Sequence, residues 1–129
     1  MGISYETSEG VLTFLTRGEV DFAGGLQVLQ RGFADAAAKS ASDPSVKWHL
    51  LFDIRESTEN RSSGELRGIA EIIAAHRSIL TGRCALVVAS PLYYGLGRVF
   101  AVFMEGFGLT VTVVHSGPDA LAWLRADSR

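Results

Sequence analysis

One segment, residues 50–66, constrains the fold of this chain more than any other because its character changes twice. It begins as a short apolar run that includes one acid, which is typical of a buried strand in a parallel sheet. A polar run, residues 55–61, follows and predicts a surface loop, since its side chains are too polar to bury. Ser62 and Glu65 then have the spacing of a capping box, so a helix is predicted to begin at about Ser63.

The polar loop is the predicted site region. A loop that follows a parallel strand crosses the carboxyl edge of the sheet, where open parallel sheets bind their ligands. Ser62 is interpreted as the helix N-cap, which leaves Ser63 with a free hydroxyl at the positive end of the helix. Asp53, at the predicted strand end, is interpreted as an acceptor for loop N–H groups, with a site acid as the alternative. Asp53 and Ser62, together with Arg61 and Glu65, form the predicted loop-edge contact.

The rest of the chain supplies two strands and then repeated strand–helix units. The predicted strands are residues 3–7, 11–16, 46–54, 83–89 and 109–115, and the predicted helices cover about 21–40, 63–80, 90–105 and 116–124. The first two strands are joined by a short turn, which predicts an antiparallel hairpin.

This order of elements predicts an α/β fold. Helical crossovers between parallel strands are right-handed, so three in succession without a reversal give strands in sequential order. One face of the strands is fully apolar and the other is mixed, which favours helices mostly on one face. We therefore predict a single-domain β–α superhelix over residues 1–129, with a five-stranded mixed sheet, an antiparallel first strand, an interior fourth strand and about four helices.

Length, charge and cysteine content exclude several classes of protein. A chain of 129 residues suits one domain. A net charge of −2 offers no basic surface for nucleic acid. Cys84 is the single cysteine, so no disulfide can form within the chain, and a cytoplasmic location is expected. No apolar run approaches the roughly 20 residues that a membrane span needs, and the first residues do not resemble a signal peptide.

The third predicted helix is apolar over more than one face. Its expected core stripe is Leu92, Leu96, Val99, Phe100, Phe103 and Phe107. Four further apolar or aromatic residues lie beyond that stripe: Tyr93, Tyr94, Val102 and Met104. A surface helix needs an apolar arc of only a little over about 100°. The excess predicts a contact surface or a ligand pocket, and it makes a homodimer a candidate state.

Enzyme chemistry has no positive sequence signal. No serine, histidine and acid form a hydrolase motif. The three histidines lack metal-ligand spacing with one another or with Cys84. Gly95 and Gly97 do not form a dinucleotide loop and predict close helix–strand packing instead. We therefore expect no catalytic residue, no metal and no cofactor.

Short motifs along the chain resemble those of STAS domains, the family of anti-sigma-factor antagonists. Residues 18–21, Gly-Glu-Val-Asp, are similar to the Gly-Glu-Leu-Asp signature before the first helix of that family. Residues 62–64, Ser-Ser-Gly, are similar to part of the Asp-Ser-Ser-Gly-Leu signature before the second helix. Residues 94–98 and 122–124 look more like the STAS/SEC14-type branch. The resemblance implies the same β–α superhelix that the strand–helix pattern predicts.

The resemblance also implies a function. In the antagonists the second serine of the pair accepts phosphate from a partner kinase, and by position that serine is Ser63. The sequence departs from the signature at Arg61, which replaces Asp, and at Glu65, which replaces Leu. The implied function is a non-enzymatic regulatory module that binds a protein partner, such as an anti-sigma or kinase-type regulator, with Ser63 as candidate phosphoacceptor.

Two classes of function therefore stay open. The first is protein binding through the loop edge and the second helix. The second is a carrier or sensor whose apolar helices enclose a small hydrophobic, lipid-like ligand, as a SEC14-type resemblance allows. A flat edge around Ser63 favours the first class, whereas an apolar cavity between helices and sheet favours the second.

Overall fold

The computed structural model describes residues 2–126, so residues 1 and 127–129, the two ends of the predicted domain, lie outside it. The strands are β1 (Gly2–Ser8), β2 (Val11–Gly18), β3 (Trp48–Ser57), β4 (Leu80–Val87) and β5 (Thr110–Val114). The helices are α1 (Phe22–Ser42), α2 (Ser63–Ala75), α3 (Pro91–Gly106) and α4 (Gly117–Arg125), with a 3-10 turn, Arg77–Ile79, between α2 and β4.

The sheet has the predicted topology. The strand order is β1-β2-β3-β4-β5, with β1 antiparallel to β2 and all other neighbours parallel. β4 lies in the interior between β3 and β5, as the mostly apolar sequence of the predicted strand, residues 83–89, indicates. The predicted α/β fold with a sequential five-stranded mixed sheet is confirmed.

Three helices cover one face of the sheet and α4 covers the other. Alternate residues of a strand point to opposite faces, so β3 contributes to two separate cores. The larger core joins the sheet to α1, α2 and α3, and its members include Phe14, Phe33, Leu50, Phe52, Ile73 and Phe100. The smaller core joins the sheet to α4 through Val11, Leu51, Ala85, Val87, Ala120 and Leu124. The one-sided helical layer is the predicted arrangement.

Each of the four α-helices begins at a side-chain cap. The caps are Asp21, Ser62, Ser90 and Ser116, and each side chain accepts a hydrogen bond from a backbone N–H in the first turn. Such caps satisfy N–H groups that have no partner within the helix. Because a cap acts locally, these helix starts follow directly from the sequence.

The third strand is longer than its polar end predicts. β3 runs through Ser57, because Glu56 and Ser57 pair with Arg17 and Gly18 of β2 beyond an irregularity in the register. An ion pair of 3.4 Å between Arg17 Nε and Glu56 Oε2 accompanies this extension. The loop to α2 therefore begins at Thr58, and the prediction that the strand ends at residue 54 is wrong.

The second helix is shorter than predicted. α2 ends at Ala75 and is followed by a 3-10 turn, and β4 already begins at Leu80. Leu80 pairs with Trp48, which brings the residues just after the turn into the sheet. Gly82 therefore lies within β4 at φ +95° and does not act as the predicted helix stop.

The third helix is rotated from the predicted orientation. Leu92 and Val99, expected in the core, are 62% and 39% exposed, whereas Met104, expected beyond the core, is fully buried. The buried face contains the small residues Gly97 and Ala101 together with Met104. The predicted core stripe was drawn through large apolar residues such as Leu92 and Val99. It therefore left Met104 outside the core, where the structure buries it.

Small residues decide this rotation because they allow α3 to approach the sheet. A Cβ atom at Gly97 would lie 3.1 Å from Val113 Cγ2 of β5, so the helix sits closely on the strand. The predicted close packing is confirmed for Gly97. Gly95 is exposed and a Cβ there would meet nothing within 4 Å, so the same prediction is wrong for Gly95.

Candidate functional site

The start of α2 carries the predicted capping box. Ser62 Oγ accepts a hydrogen bond of 3.2 Å from Glu65 N, and Glu65 Oε1 accepts one of 3.0 Å from Ser62 N. The N-cap interpretation of Ser62 is therefore confirmed, and Glu65 is held by the same interaction. Ser63, the first residue of the helix, is exposed. Its phosphorylation stays a prediction.

Asp53 lies apart from the serine pair. It pairs with Leu15 and Val87 inside the sheet, and its side chain is on the face that α4 covers. Arg55 donates hydrogen bonds of 3.0 Å from Nε and 2.7 Å from Nη2 to the two carboxylate oxygens, and its backbone N also donates to Oδ1. These bonds hold the pKa of Asp53 below its ordinary value. Asp53 accepts a hydrogen bond from a backbone N–H, as predicted, but both Asp53 and the donor Arg55 lie within β3 and not in the loop.

Arg61 faces inward and ties the β3–α2 loop to α1. Its Nη2 donates a hydrogen bond of 2.5 Å to Val20 O, and the guanidinium lies 5.3 Å from the centroid of the Phe22 ring. Only 17% of its side chain is exposed. Two carboxylates lie at ion-pair distance from it, beyond an ordinary hydrogen bond: Glu59 at 3.9 Å and Glu65 at 3.8 Å. Arg61 therefore anchors the loop.

An apolar cavity of about 130 Å³ lies beneath this loop, between the sheet and helices α1, α2 and α3. Its main apolar walls are Phe22, Leu26, Phe52, Leu66, Ile69 and Phe100. The cavity is at the carboxyl ends of the parallel strands, because Thr16, Ser57 and Leu86 also line it. This is the edge where the polar loop predicted a site.

One glycine in the cavity wall leaves space that a side chain could occupy. Gly25 of α1 lines the cavity without a side chain, whereas at Gly97 of α3 the space for a side chain is taken by Val113. A Cβ at Gly25 would lie 3.4 Å from Val20 Cγ1, an ordinary contact distance. An alanine could therefore occupy this position without a clash, so close packing does not require glycine here.

Two hydrogen bonds lie at the rim of the cavity. The hydroxyls of Thr16 and Ser57, both buried, hydrogen-bond each other across β2 and β3. Tyr93 Oη donates a hydrogen bond of 2.6 Å to Glu59 O, which joins the start of α3 to the loop. Desolvation, and then the carboxylate of Glu59, raises the pKa of Tyr93, so its phenol is protonated and donates at neutral pH.

Glu59 is the one charged side chain at the cavity with an unsatisfied atom among residues 2–126. Its Oε2 is buried and has no hydrogen-bond partner in that part of the chain. Its side chain is only 13% exposed, and Oε1 is 3.9 Å from Arg61 Nη2. Buried polar atoms without a partner are uncommon in folded proteins, so the burial of this oxygen costs stability.

The four predicted apolar site residues have separate locations. Tyr93 lines the cavity. Tyr94 is 40% exposed and stacks on His115, with ring centroids 5.9 Å apart. Val102 is 68% exposed, and Met104 belongs to the core. The structure therefore brings only Tyr93 of these four residues to the cavity. The prediction that Met104 is an accessible site residue is wrong, because its side chain is fully buried in the core.

Sequence reasoning missed Glu59 and the cavity walls that α1 contributes. Glu59 stands in a polar run between exposed residues, and no local pattern distinguishes it from its neighbours. The backbone carbonyl of Glu59 accepts a hydrogen bond from Tyr93, 34 positions away in sequence, so the burial of this part of the loop depends on a distant contact. The spacing of Phe22, Leu26 and Leu29 was the available signal for the wall from α1, because it indicates a helix face that packs inward.

Metal binding and membrane spanning have no structural support in residues 2–126. That part of the chain contains no group of three histidine, cysteine, aspartate or glutamate residues placed to hold a metal ion. Among the same residues, no helix has both the length and the apolar character needed to cross a bilayer.

Comparison with known proteins identifies a solved structure with a similar fold. No protein-family model matches the chain, and no curated protein is significantly similar to it. A crystal structure of an uncharacterised protein of the DUF3478 family from Shewanella loihica PV-4, which has a SpoIIAA-like fold, is similar over 95% of this chain and 91% of that one. The TM-score is 0.60 and the sequence identity 20%. The present chain has a SpoIIAA-like fold. The anti-sigma-antagonist-like architecture that the short motifs implied is thus confirmed at the level of fold.

Proposed function

We propose that this protein is a non-enzymatic regulatory module that binds a small apolar molecule in the cavity beneath the β3–α2 loop. The observation that carries the proposal is the apolar cavity itself, which helices and sheet line and which is partly open to solvent at the carboxyl edge of the strands. Apolar pockets with a few polar groups at this edge are typical small-molecule sites in α/β proteins. The cavity favours the ligand-binding class over a purely flat protein contact.

The size of the cavity limits the ligand. An engineered apolar cavity of about 150 Å³ binds benzene. The present cavity, about 130 Å³, therefore suits a group of about that size. It accepts a small aromatic or branched aliphatic molecule, or one end of a longer chain. A whole membrane lipid is too large, so the proposed ligand is smaller than the lipid-like molecule that the sequence suggested.

A ligand that fills the cavity stabilises the folded state. Its apolar atoms make dispersion contacts with the wall residues and remove their apolar surface from water, and binding to the folded state alone raises the free energy of unfolding.

The cavity is coupled to the loop edge through shared residues. Tyr93 and Arg61 line the cavity, and the same two side chains hold the loop through Glu59 O and Val20 O. That loop ends at Ser63, the first residue of α2. A ligand that displaces Tyr93 or Arg61 would therefore change the conformation of the loop that a protein partner contacts, and the module would act as a sensor in this way.

The test is a toluene titration followed by NMR, with two matched variants of α2. Ile69 lines the cavity, whereas Ile72, also half-buried and one turn later, does not. Toluene should give saturable shifts at cavity residues of the parent. Ile69→Phe should weaken binding at least about tenfold by filling the space, while Ile72→Phe should not. Thermal unfolding of both variants checks that they are folded. Equal toluene binding by Ile69→Phe and the parent, or no saturable binding by the parent, would refute the proposal.

A second candidate function is regulated protein binding at the loop edge, for which the exposed Ser63 is the supporting observation. A phosphate there carries about −1.5 to −2 charges and is favoured at a helix N-terminus by up to about 1 kcal/mol. Arg61 is already engaged inside the loop, so Arg67 is the exposed cation on α2 nearest in sequence. The partner class would be an anti-sigma or kinase-type regulator.

Intact-mass analysis tests this second function. Protein isolated from cells that naturally make it should carry one phosphate, and Ser63→Ala should remove it. Ser78→Ala, a change at another exposed serine, should not. Unmodified native protein, or phosphate that persists in Ser63→Ala, would leave Ser63 as a helix-start residue only.

A further inference from the structure

Helix α3 presents an apolar row to solvent that the fold itself does not use. All four large apolar side chains that are exposed among residues 2–126 lie on α3. Three of them, Leu92, Val99 and Val102, lie opposite the face that packs on the sheet. The exposed Gly95 and Gly106 complete this row, the exposed stripe of α3. The exposed sides of α1 and α2 carry charged side chains instead, so the stripe marks a contact surface.

The spacing of the stripe is typical of a seam between two helices. Its five members follow one another at alternating intervals of three and four residues, which is the repeat of the a and d positions in paired helices. Glycine at two of them lets the backbones of such a pair approach closely, because the distance between helix axes depends on the side chains at the contact. The stripe therefore fits another helix that has the same narrow apolar seam.

The two charges of α3 indicate that this other helix is α3 of a second copy of the chain. Arg98 and Glu105 are the charged residues of α3, and a separation of seven residues places both on one flank of the stripe. They are about 10 Å apart along the helix axis, and neither forms an ion pair within residues 2–126. A two-fold rotation that sets two copies of α3 antiparallel brings Arg98 of each copy toward Glu105 of the other. This flank is therefore complementary to itself.

We propose that the protein forms a two-fold homodimer through the exposed stripe of α3, with the two helices antiparallel. Val99 then packs against Val102 of the second copy, and the two glycines of the stripe face each other across the seam. Two reciprocal ion pairs between Arg98 and Glu105 flank the apolar contacts. None of the stripe residues lines the cavity, so this inference does not depend on ligand binding there.

The residues beside the stripe select the antiparallel arrangement. In a parallel pair, the charged flank of one helix faces the opposite flank of the other, where α3 carries Leu96 and Phe103. Arg98 and Glu105 would then lie against apolar side chains and gain no ionic partner. In the antiparallel pair, like flanks meet, so each charge faces one of opposite sign.

Sedimentation of the parent protein from about 1 to about 500 μM tests the dimer. One helix pair buries less surface than the roughly 1,600 Å² of a standard interface, so we expect a dissociation constant in the roughly micromolar range. Arg98→Glu and Glu105→Arg each turn both ion pairs into like-charge pairs and should weaken the dimer at least about tenfold. Arg31→Glu reverses a charge at an exposed position of α1 and should leave the dimer unchanged.

A mixture of the two charge variants tests the antiparallel geometry. Each variant has one sign of charge at both positions, so a heterodimer of Arg98→Glu with Glu105→Arg contains two opposite-charge pairs. The equimolar mixture should therefore associate about as tightly as the parent, and so should the double variant that carries both substitutions. Thermal unfolding of every variant checks that it is folded, as expected for substitutions at exposed positions.

The outcomes separate the dimer from its geometry. A parent that stays monomeric at the highest concentration would overturn the proposal, as would a dimer that neither charge variant weakens or that Arg31→Glu weakens equally. Weakening by both single variants without recovery in the mixture would overturn the antiparallel arrangement. Weakening by both, with recovery in the mixture and in the double variant, supports the antiparallel dimer.

Discussion

The space between the helical layer and the sheet is packed differently at its two ends. At the closed end, defined by Phe33, Trp48 and His76, Phe33 stacks on His76 with ring centroids 4.6 Å apart. Trp48 Nε1 there donates to Ala36 O and Ser40 Oγ. At the cavity end, defined by Arg61 and the other cavity-lining residues, about 130 Å³ is unfilled.

Glycine in α1 occurs at both ends and has opposite effects. At the closed end, a Cβ on Gly32 would lie 2.6 Å from Phe14 Cζ, so the missing side chain is replaced by a phenyl ring. At the cavity end, a Cβ on Gly25 would lie 3.4 Å from Val20 Cγ1, and no ring fills the space. The comparison teaches that a small residue closes or opens a core according to the neighbour opposite it.

The largest expected difference between the ends comes from truncating one apolar side chain at each. Phe33→Ala should lower the free energy of unfolding by about 3–5 kcal/mol, because Phe33 is fully buried and stacked. Leu26→Ala should lower it by only about 1–2 kcal/mol, because Leu26 is half-buried and already borders the cavity. Denaturant unfolding measures both. Equal losses would show that the two ends are packed alike.

Substituting the two glycines should change stability in opposite directions. Gly32→Ala should destabilise by about 1–3 kcal/mol, because the new methyl overlaps the Phe14 ring. Gly25→Ala should stabilise by up to about 1 kcal/mol, because alanine favours the helix and its methyl meets only ordinary contacts. The pair is compared by thermal and denaturant unfolding. A stabilising Gly32→Ala would contradict the close approach of α1 to Phe14.

The tyrosine that joins α3 to the loop should have a smaller and local effect. Tyr93→Phe removes the hydrogen bond to Glu59 O and should lower the free energy of unfolding by about 0.5–1.5 kcal/mol. Amide hydrogen exchange should accelerate in residues 58–62 but not around Trp48 at the closed end. Tyr94→Phe, at the neighbouring exposed tyrosine, is the control and should change neither quantity. Uniform acceleration at both ends would argue against a local anchor.

The smallest expected change in stability lies outside both ends, on the exposed stripe of α3. Val102→Glu should change the free energy of unfolding by no more than about 0.5 kcal/mol, because Val102 is 68% exposed. The same substitution tests the predicted homodimer: sedimentation should show a dimer for the parent and a monomer for the variant. Ala38→Glu, on the exposed side of α1, should leave the dimer intact. A parent that stays monomeric at high concentration would end the homodimer hypothesis.

Most of the fold could be predicted from the sequence because its determinants are local. The Asp21 and Ser90 caps and the Ser62–Glu65 capping box act within one helical turn, and each helix start was predicted within about one residue. The order of strands follows from the alternation of strands and helices and from the handedness of crossovers. The candidate site was predicted less well: the cavity lies at the predicted carboxyl edge of the sheet, but Asp53 is on the face that α4 covers and Met104 is in the core.

The sequence by itself therefore determined the elements, their order and the edge at which a loop crosses the sheet. Tertiary structure alone decided which face of α3 is buried, where the cavity remains and that Glu59 points inward. The physical reason is the range of the interactions involved. A cap or an apolar periodicity is complete within a few residues, whereas the contacts of Gly97 with Val113 and of Tyr93 with Glu59 form only after distant segments pack.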